Sequence, residues 1–164
     1  MSKAWSFETP TSCGSSIYDK IMALGWAIDV IGKISPHSLK GHGIIILATD
    51  YFTKWVKAEP VQTVTQNAVV KFLENIVYRF GILQTIVSDN ASILEWDVIT
   101  FTSKLGITMA KSTPYYAQSN GQAEATNKVI KENMAKVIKN NPRIWYEILL
   151  EIPWAYRILE RTST

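Results

Sequence analysis

The sequence predicts an α/β domain, a five-stranded mixed sheet with helices on its faces. Three observations point there. β-Branched and aromatic runs come first, at Trp26–Ile31, Ile44–Asp50 and Trp55–Ala58. From Thr65 the apolar residues change to a three- and four-residue spacing, the mark of an amphipathic helix. Strand-like and helix-like segments then alternate, the order expected when helices cover a sheet.

Each element has its own signal. Residues 1–22 are polar and broken by Pro10 and Gly14, and read as an irregular lead-in to a single domain over residues 23–164. Trp26–Ile31 ends at Gly32 and reads as a strand. Pro36, His37, Ser38, Gly41 and Gly43 supply loop chemistry. Ile44–Asp50 is nearly continuous in apolar residues, as in a strand buried on both faces. A turn at Phe52–Lys54 leads to a short strand at Trp55–Ala58. Ala68, Val69, Phe72, Leu73, Ile76 and Val77 mark one face of a helix, with Thr65 as N-cap and Gly81 as stop. Gln84–Ser88 reads as a strand, Glu95–Leu105 as a helix stopped by Gly106, and Ile107–Ala110 as the fifth strand. Pro114–Gly121 reads as a polar loop carrying Tyr115 and Tyr116. Gln122–Asn140 is strongly helical, with Val129, Met134, Val137 and Ile138 as candidate core. Asn140-Asn141-Pro142 ends it, and Ile144–Leu159 adds helix kinked near Pro153.

Composition bounds the function classes. Over 164 residues, 47% are hydrophobic and 19% charged, enough apolar material for a core and too much for a disordered chain. Cys13 is the only cysteine, so no intrachain disulfide forms. No run approaches the roughly 20 apolar residues of a membrane span, and the first residues lack the pattern of a signal peptide. An intracellular protein without membrane attachment is the expectation. The formal charge is +3, unevenly spread: residues 104–164 hold 9 Lys and Arg against 5 Asp and Glu. That excess suits a polyanion, and equally a solvated helix face. His37, His42 and Cys13 fall short of the four ligands of a structural zinc site. The tryptophans, Trp26, Trp55, Trp96, Trp145 and Trp154 among them, read as core.

Three carboxylates have addresses that bear on chemistry. Asp29 lies in mid-strand among Ile28, Val30 and Ile31, where a charge is costly without a partner or metal. Asp89 comes after Thr85-Ile86-Val87 at the carboxyl end of a strand, the edge where α/β active sites gather. Glu124 lies near the predicted start of the long helix, where its charge suits the dipole. Converging, the three would bind Mg²⁺ or Mn²⁺ through hard oxygen ligands and support phosphoryl transfer. Separately they are a rim acid, a turn acid and a helix-start acid, and spacing alone does not choose. Lys128 and Lys131, four and seven residues after Glu124, share its helix face. They would sit beside a bound phosphodiester, or form a helix salt bridge. Asp50 reads as structural.

The residues also carry a resemblance. Trp26-Ala27-Ile28-Asp29-Val30-Ile31-Gly32 resembles the first catalytic motif of integrases from gypsy-type LTR retrotransposons. Lys40-Gly41-His42 and the run Ile44–Lys57 look like that family's next two strands, and Tyr78–Ile82 with Ser88-Asp89-Asn90 like the approach to its second motif. Thr113–Glu124 closely resembles the third motif, and Trp154–Arg157 with Arg161–Thr164 fit the segment that comes after that motif in the family. The resemblance implies a ribonuclease H-like fold, an Asp-Asp-Glu metal site at Asp29, Asp89 and Glu124, and Mg²⁺ or Mn²⁺ as cofactor. It implies polynucleotidyl transfer: cleavage near a DNA end, then attack of the freed 3′-hydroxyl on target DNA. It also implies DNA contacts from Asn120, Asn127, Lys128 and Lys131, a homo-oligomer, and action in the nucleus.

The chain departs from that pattern in places. Ala91 stands where a glycine usually lies two residues after the second Asp, and Ile93 and Leu94 stand where an aromatic is usual. The step from Asp89 to Glu124 is one residue short of the usual spacing. The family's N-terminal zinc module and C-terminal DNA-binding module have no counterpart, so the chain reads as a polyprotein fragment. These departures give a second reading, a catalytically inactive relic or interaction domain of the same fold. A third, a ribonuclease H-type nuclease, would be told apart by its preference for RNA–DNA hybrids.

Overall fold

The computed structural model of the protein describes residues 25–90, 93, 95–111, 117–149 and 151–152, with the side chains at 117–124, 126 and 127 also outside the description. The lead-in over 1–22, the altered residues Ala91 and Leu94, Tyr115, Tyr116, Trp154, the kink near Pro153 and the segment Arg161–Thr164 lie outside the described residues.

Five strands form one sheet: β1 (Gly25–Gly32), β2 (Ile44–Asp50), β3 (Val56–Val61), β4 (Thr85–Ser88) and β5 (Thr108–Lys111). Their spatial order is β3-β2-β1-β4-β5. β1–β2 and β2–β3 pair antiparallel, β1–β4 and β4–β5 parallel, so the sheet is mixed as the sequence predicts. The chain moves to one side of β1 for β2 and β3, then to the other for β4 and β5. The reversal falls between β1 and β4, and the carboxyl ends of strands at such a point are the usual ligand site of an open α/β sheet.

The helices cover both faces: α1 (Gln66–Phe80), α2 (Trp96–Lys104), α3 (Ala117–Asn140) and the short α4 (Trp145–Ile148). β2 alternates between two cores. Ile46 and Ala48 join Trp26, Ile28 and Ile86 under Val69, Phe72, Leu73 and Ile76 of α1. Ile45 and Leu47 join Val56 and Ala58 under Ile130, Met134 and Trp145. A strand buried on both faces needs the continuous apolar run that Ile44–Asp50 has.

Most predicted boundaries hold to within a residue or two. Thr65 caps α1, its hydroxyl accepting from the Ala68 amide at 3.2 Å. Gly81 stops α1 at φ +85°, a conformation that side-chain-bearing residues seldom adopt. α2 lacks a local side-chain cap. Gln66 of α1 supplies one from 31 residues away, its amide oxygen accepting from the Asp97 N–H at 2.6 Å.

Four expectations need correction. The third strand runs to Val61 rather than Ala58, since β3 is an edge strand and there tolerates Pro60, which has no N–H to give. α3 begins at Ala117 rather than Gln122, so Ser119-Asn120-Gly121 is helical despite its loop composition. Val129 is 43% exposed and Ile130 takes its place in the core. Trp26 and Trp145 are buried, whereas Trp96 is 77% exposed, too open to be core.

Candidate active site

Asp29 and Asp89 sit on neighbouring strands. The parallel register pairs Trp26 with Ile86 and Ala27 with Val87. β4 ends at Ser88 and the pairing stops at Ala27 and Val87, so Asp29 and Asp89 each lie two residues beyond it, at the same end of the sheet. Two residues along a strand return a side chain to the same face. Asp29 therefore shares the face of Ala27, which with Val87 packs beside Tyr51 and Ala110. Small side chains there leave the carboxylates room. Asp89 lies just past β4 and is exposed; Asp29, in mid-strand, is half-buried. The Ser88 hydroxyl accepts from the Asn90 amide at 3.2 Å, and the Ile93 amide donates to the Asn90 carbonyl at 3.1 Å, so the chain turns immediately after Asp89.

The charge in mid-strand has partners. One Asp29 oxygen, Oδ1, accepts from the Val30 amide at 2.8 Å. The other, Oδ2, forms an ion pair with Lys131 Nζ of α3. Asp29 keeps 22% and Lys131 43% of its side-chain exposure, so the pair is partly screened and its net worth is about 1 kcal/mol at most. Of the two predicted lysines, Lys131 meets a carboxylate among the described residues, and Lys128 is exposed.

The buried stripe of α3 explains this reach. Ile130 and Met134 pack over β2 and β3. At 100° per residue, positions 124, 128 and 131 form the adjacent stripe, displaced toward β1 and β4. Position 124 is thus on the stripe that meets Asp29, two turns before Lys131. The side chains of Glu124, Asn120 and Asn127 lie outside the described residues. Because α3 starts at Ala117, Glu124 stands in the third turn and not the first, so the helix-dipole argument for it does not apply.

The donor set fits a hard divalent cation. Asp29 and Asp89 offer only oxygen, and two carboxylates brought together repel each other unless a cation lies between or beside them. Among the described residues there is no cluster of three His, Cys, Asp or Glu side chains that could hold a metal ion. The partnership of Asp29 with Lys131 escaped sequence reasoning. The signal was present in part, since an acid buried in an apolar strand calls for a cation, but the sequence does not say which cation. Asp50 is structural as expected, accepting from the amides of Phe52 at 3.3 Å and Thr53 at 3.1 Å in the β2–β3 turn.

Comparisons with known proteins bear on the family and the fold. Over 127 residues, 76% of the chain, the sequence is 33% identical to the Pol polyprotein of feline endogenous virus ECE1. Over the same length it is 33% identical to the Gag-Pol polyprotein of baboon endogenous virus (strain M7) and 34% identical to the Pol polyprotein of radiation murine leukemia virus (strain Kaplan). The chain spans 12%, 7% and 22% of the lengths of these three relatives. No protein-family model matches the sequence. Among solved structures, the catalytic core domain of BIV integrase superposes with a TM-score of 0.61 at 22% identity, covering 78% of this chain and 79% of that one. In sequence the chain is similar to a stretch of retroviral Pol polyproteins, and its five-stranded mixed sheet with flanking helices is the ribonuclease H-like fold of an integrase catalytic core.

Proposed function

We propose that the chain is the catalytic core of an integrase from a gypsy-type LTR retrotransposon, a polynucleotidyl transferase that joins element DNA ends to target DNA. The observation that carries this reading is the parallel pairing of β1 with β4 at the reversal of strand order, which puts Asp29 of β1 beside the strand that leads into Asp89. Its subtype rests on the motif spelling around Asp29, Asp89 and Glu124. Asp29, Asp89 and Glu124 would hold Mg²⁺ or Mn²⁺. Bound there, the metal would supply Lewis acidity toward a phosphodiester and lower the pKa of the attacking water or hydroxyl.

The chain's own residues do the rest. The small side chains of Ala27 and Val87 leave a shallow floor on which a strand of DNA approaches both carboxylates. Lys128, exposed on α3, binds a backbone phosphate, with Asn120 and Asn127 as further contacts along the same helix. Such contacts fix register without reading sequence. Among the described residues no helix is long and apolar enough to cross a membrane. Action on DNA would place the protein in the nucleus, as a homo-oligomer that engages two ends.

An oligonucleotide assay tests this. With Mn²⁺ and a duplex bearing the element's terminal sequence, the protein should trim the 3′ end and join it to a second duplex. Asp89→Asn should lower the rate at least about 100-fold, the scale of losing one electrostatic stabiliser of the transition state, since the metal it would help to hold supplies that stabilisation. A folded, Mn²⁺-binding protein that leaves DNA intact would favour the inactive relic instead, for which the departures at Ala91 and in the Asp89–Glu124 spacing already argue.

A further inference from the structure

We propose that Lys131 is a built-in counter-ion that holds Asp29 in the DNA-free protein, so that divalent metal and polyanion bind cooperatively by sharing it. The inference rests on the proposed reading of Asp29 as a metal ligand. Asp29 has one oxygen to spare. Oδ1 is committed to the Val30 amide of its own strand, and Oδ2 is the atom that Lys131 takes. A divalent cation at Asp29 needs Oδ2, and an ammonium and a dication on one oxygen repel strongly. One must leave. Asp29 is fixed in mid-strand, whereas Lys131 has four methylenes and 43% exposure.

Lys131 also has somewhere to go. It borders a cavity of about 480 Å³ lined by Ile31, Met134 and Ala135, with Lys139 also on its wall. Apolar walls suit the lysine stem, but a second ammonium nearby does not suit its head. An anion does. A DNA phosphate beside α3 would accept Lys131, free Oδ2, and so strengthen metal binding. Linkage requires the reverse as well: metal at Asp29 releases Lys131 and strengthens DNA binding by the same factor. In DNA-free protein the Lys131 ammonium offsets part of the negative charge of the two aspartates.

Calorimetric titration with Mn²⁺ tests this without any turnover. The wild type, Lys131→Met, Lys131→Arg and Lys136→Met are each titrated alone and with saturating duplex DNA of unrelated sequence. For DNA-free protein, Lys131→Met should bind Mn²⁺ about fivefold tighter or more than wild type, while Lys131→Arg stays near wild type. DNA should tighten Mn²⁺ binding in wild type by a comparable factor and leave Lys131→Met nearly unchanged. Lys136→Met removes the same charge from an exposed position of the same helix and should retain the DNA effect. Equal Mn²⁺ affinity for wild type and Lys131→Met overturns the proposal, as does an equal gain in Lys136→Met, which would reduce it to net charge. Asp29→Asn separates the two layers. Mn²⁺ binding that survives Asp29→Asn, or is absent from every variant, overturns the metal-site reading itself. Binding that needs Asp29 but ignores Lys131 overturns only the counter-ion.

Discussion

Asp50 illustrates how a single polar side chain sets local geometry. Its carboxylate accepts from the amides of Phe52 and Thr53 and from the Thr53 hydroxyl, closing the turn between β2 and β3. Lys54 completes that turn at φ +58°, in the left-handed region, and donates its ammonium to the Tyr51 carbonyl at 2.7 Å. Asp50→Ala should therefore cost about 1–2 kcal/mol in urea unfolding, as loss of an acceptor for several amides usually does. His42 carries a second residue-scale prediction. Burial first, and the neighbouring charge of Lys40 second, lower its pKa below the usual 6.5. The folded state then binds fewer protons than the unfolded one just below pH 6.5, so His42 takes stability away as pH falls through that value. His42→Gln should lose less in midpoint between pH 7.5 and pH 5.5 than wild type does, in paired thermal scans. At this scale the sequence told much about need and little about partners. Asp29 stood out because a charge in an apolar strand must be answered. That Lys131 answers it, 102 positions later, depends on how α3 lies across the sheet.

The elements were legible wherever one periodicity dominated. β2 is a continuous apolar run, α1 has a clean helical stripe with a threonine cap, and both fell where the pattern put them. α3 misled at two points, each for a physical reason. Ser119-Asn120-Gly121 favours turns in isolation, yet helix propensity is a weak preference that longer context overrides. Val129-Ile130 is an apolar doublet, and two adjacent β-branched residues leave the phase of a helix face open. Burial resolves it: Ile130 is fully buried and Val129 is 43% exposed. The consequence is a contrast between neighbours. Ile130→Ala should destabilise by about 2–5 kcal/mol, the range for a buried aliphatic truncated without collapse of its site. Val129→Ala should change stability by about 0.5 kcal/mol at most. Chemical denaturation of the two variants beside wild type measures both, and comparable losses would mean α3 is rotated from the phase described. That phase also governs the site, because it carries positions 124, 128 and 131 toward β1.

At the scale of the whole molecule, the strand order is the property that no local pattern contains. The sequence predicts five strands and a mixed sheet, but not that β1 sits in the middle with β4 on one side and β2 on the other. That order brings Asp29 and Asp89, 60 residues apart in the chain, to the same end of the sheet. It also joins the two cores through β1 and β2, whose alternate residues face opposite helix layers. A cation held by both carboxylates would bridge the site only when the whole sheet has formed, so its binding free energy becomes folding free energy. At 100 times its dissociation constant, a ligand specific to the folded state adds about 2.7 kcal/mol. In a domain of this size that raises the melting midpoint by roughly 5 °C or more. A thermal scan with and without Mn²⁺ should show that rise in wild type and lose it in both Asp29→Asn and Asp89→Asn. Loss in only one variant would mean the acids do not act together. Trp26 lies in the α1-side core and Trp145 in the α3-side core, so variants keeping only one of them as a fluorescent reporter track each layer separately. Coincident transitions that move together with Mn²⁺ are the expected result, because β2 cannot lose one face and keep the other. Two separate transitions, with only one responding to metal, would show that the helix layers unfold independently and that the carboxylates belong to one layer rather than to the sheet.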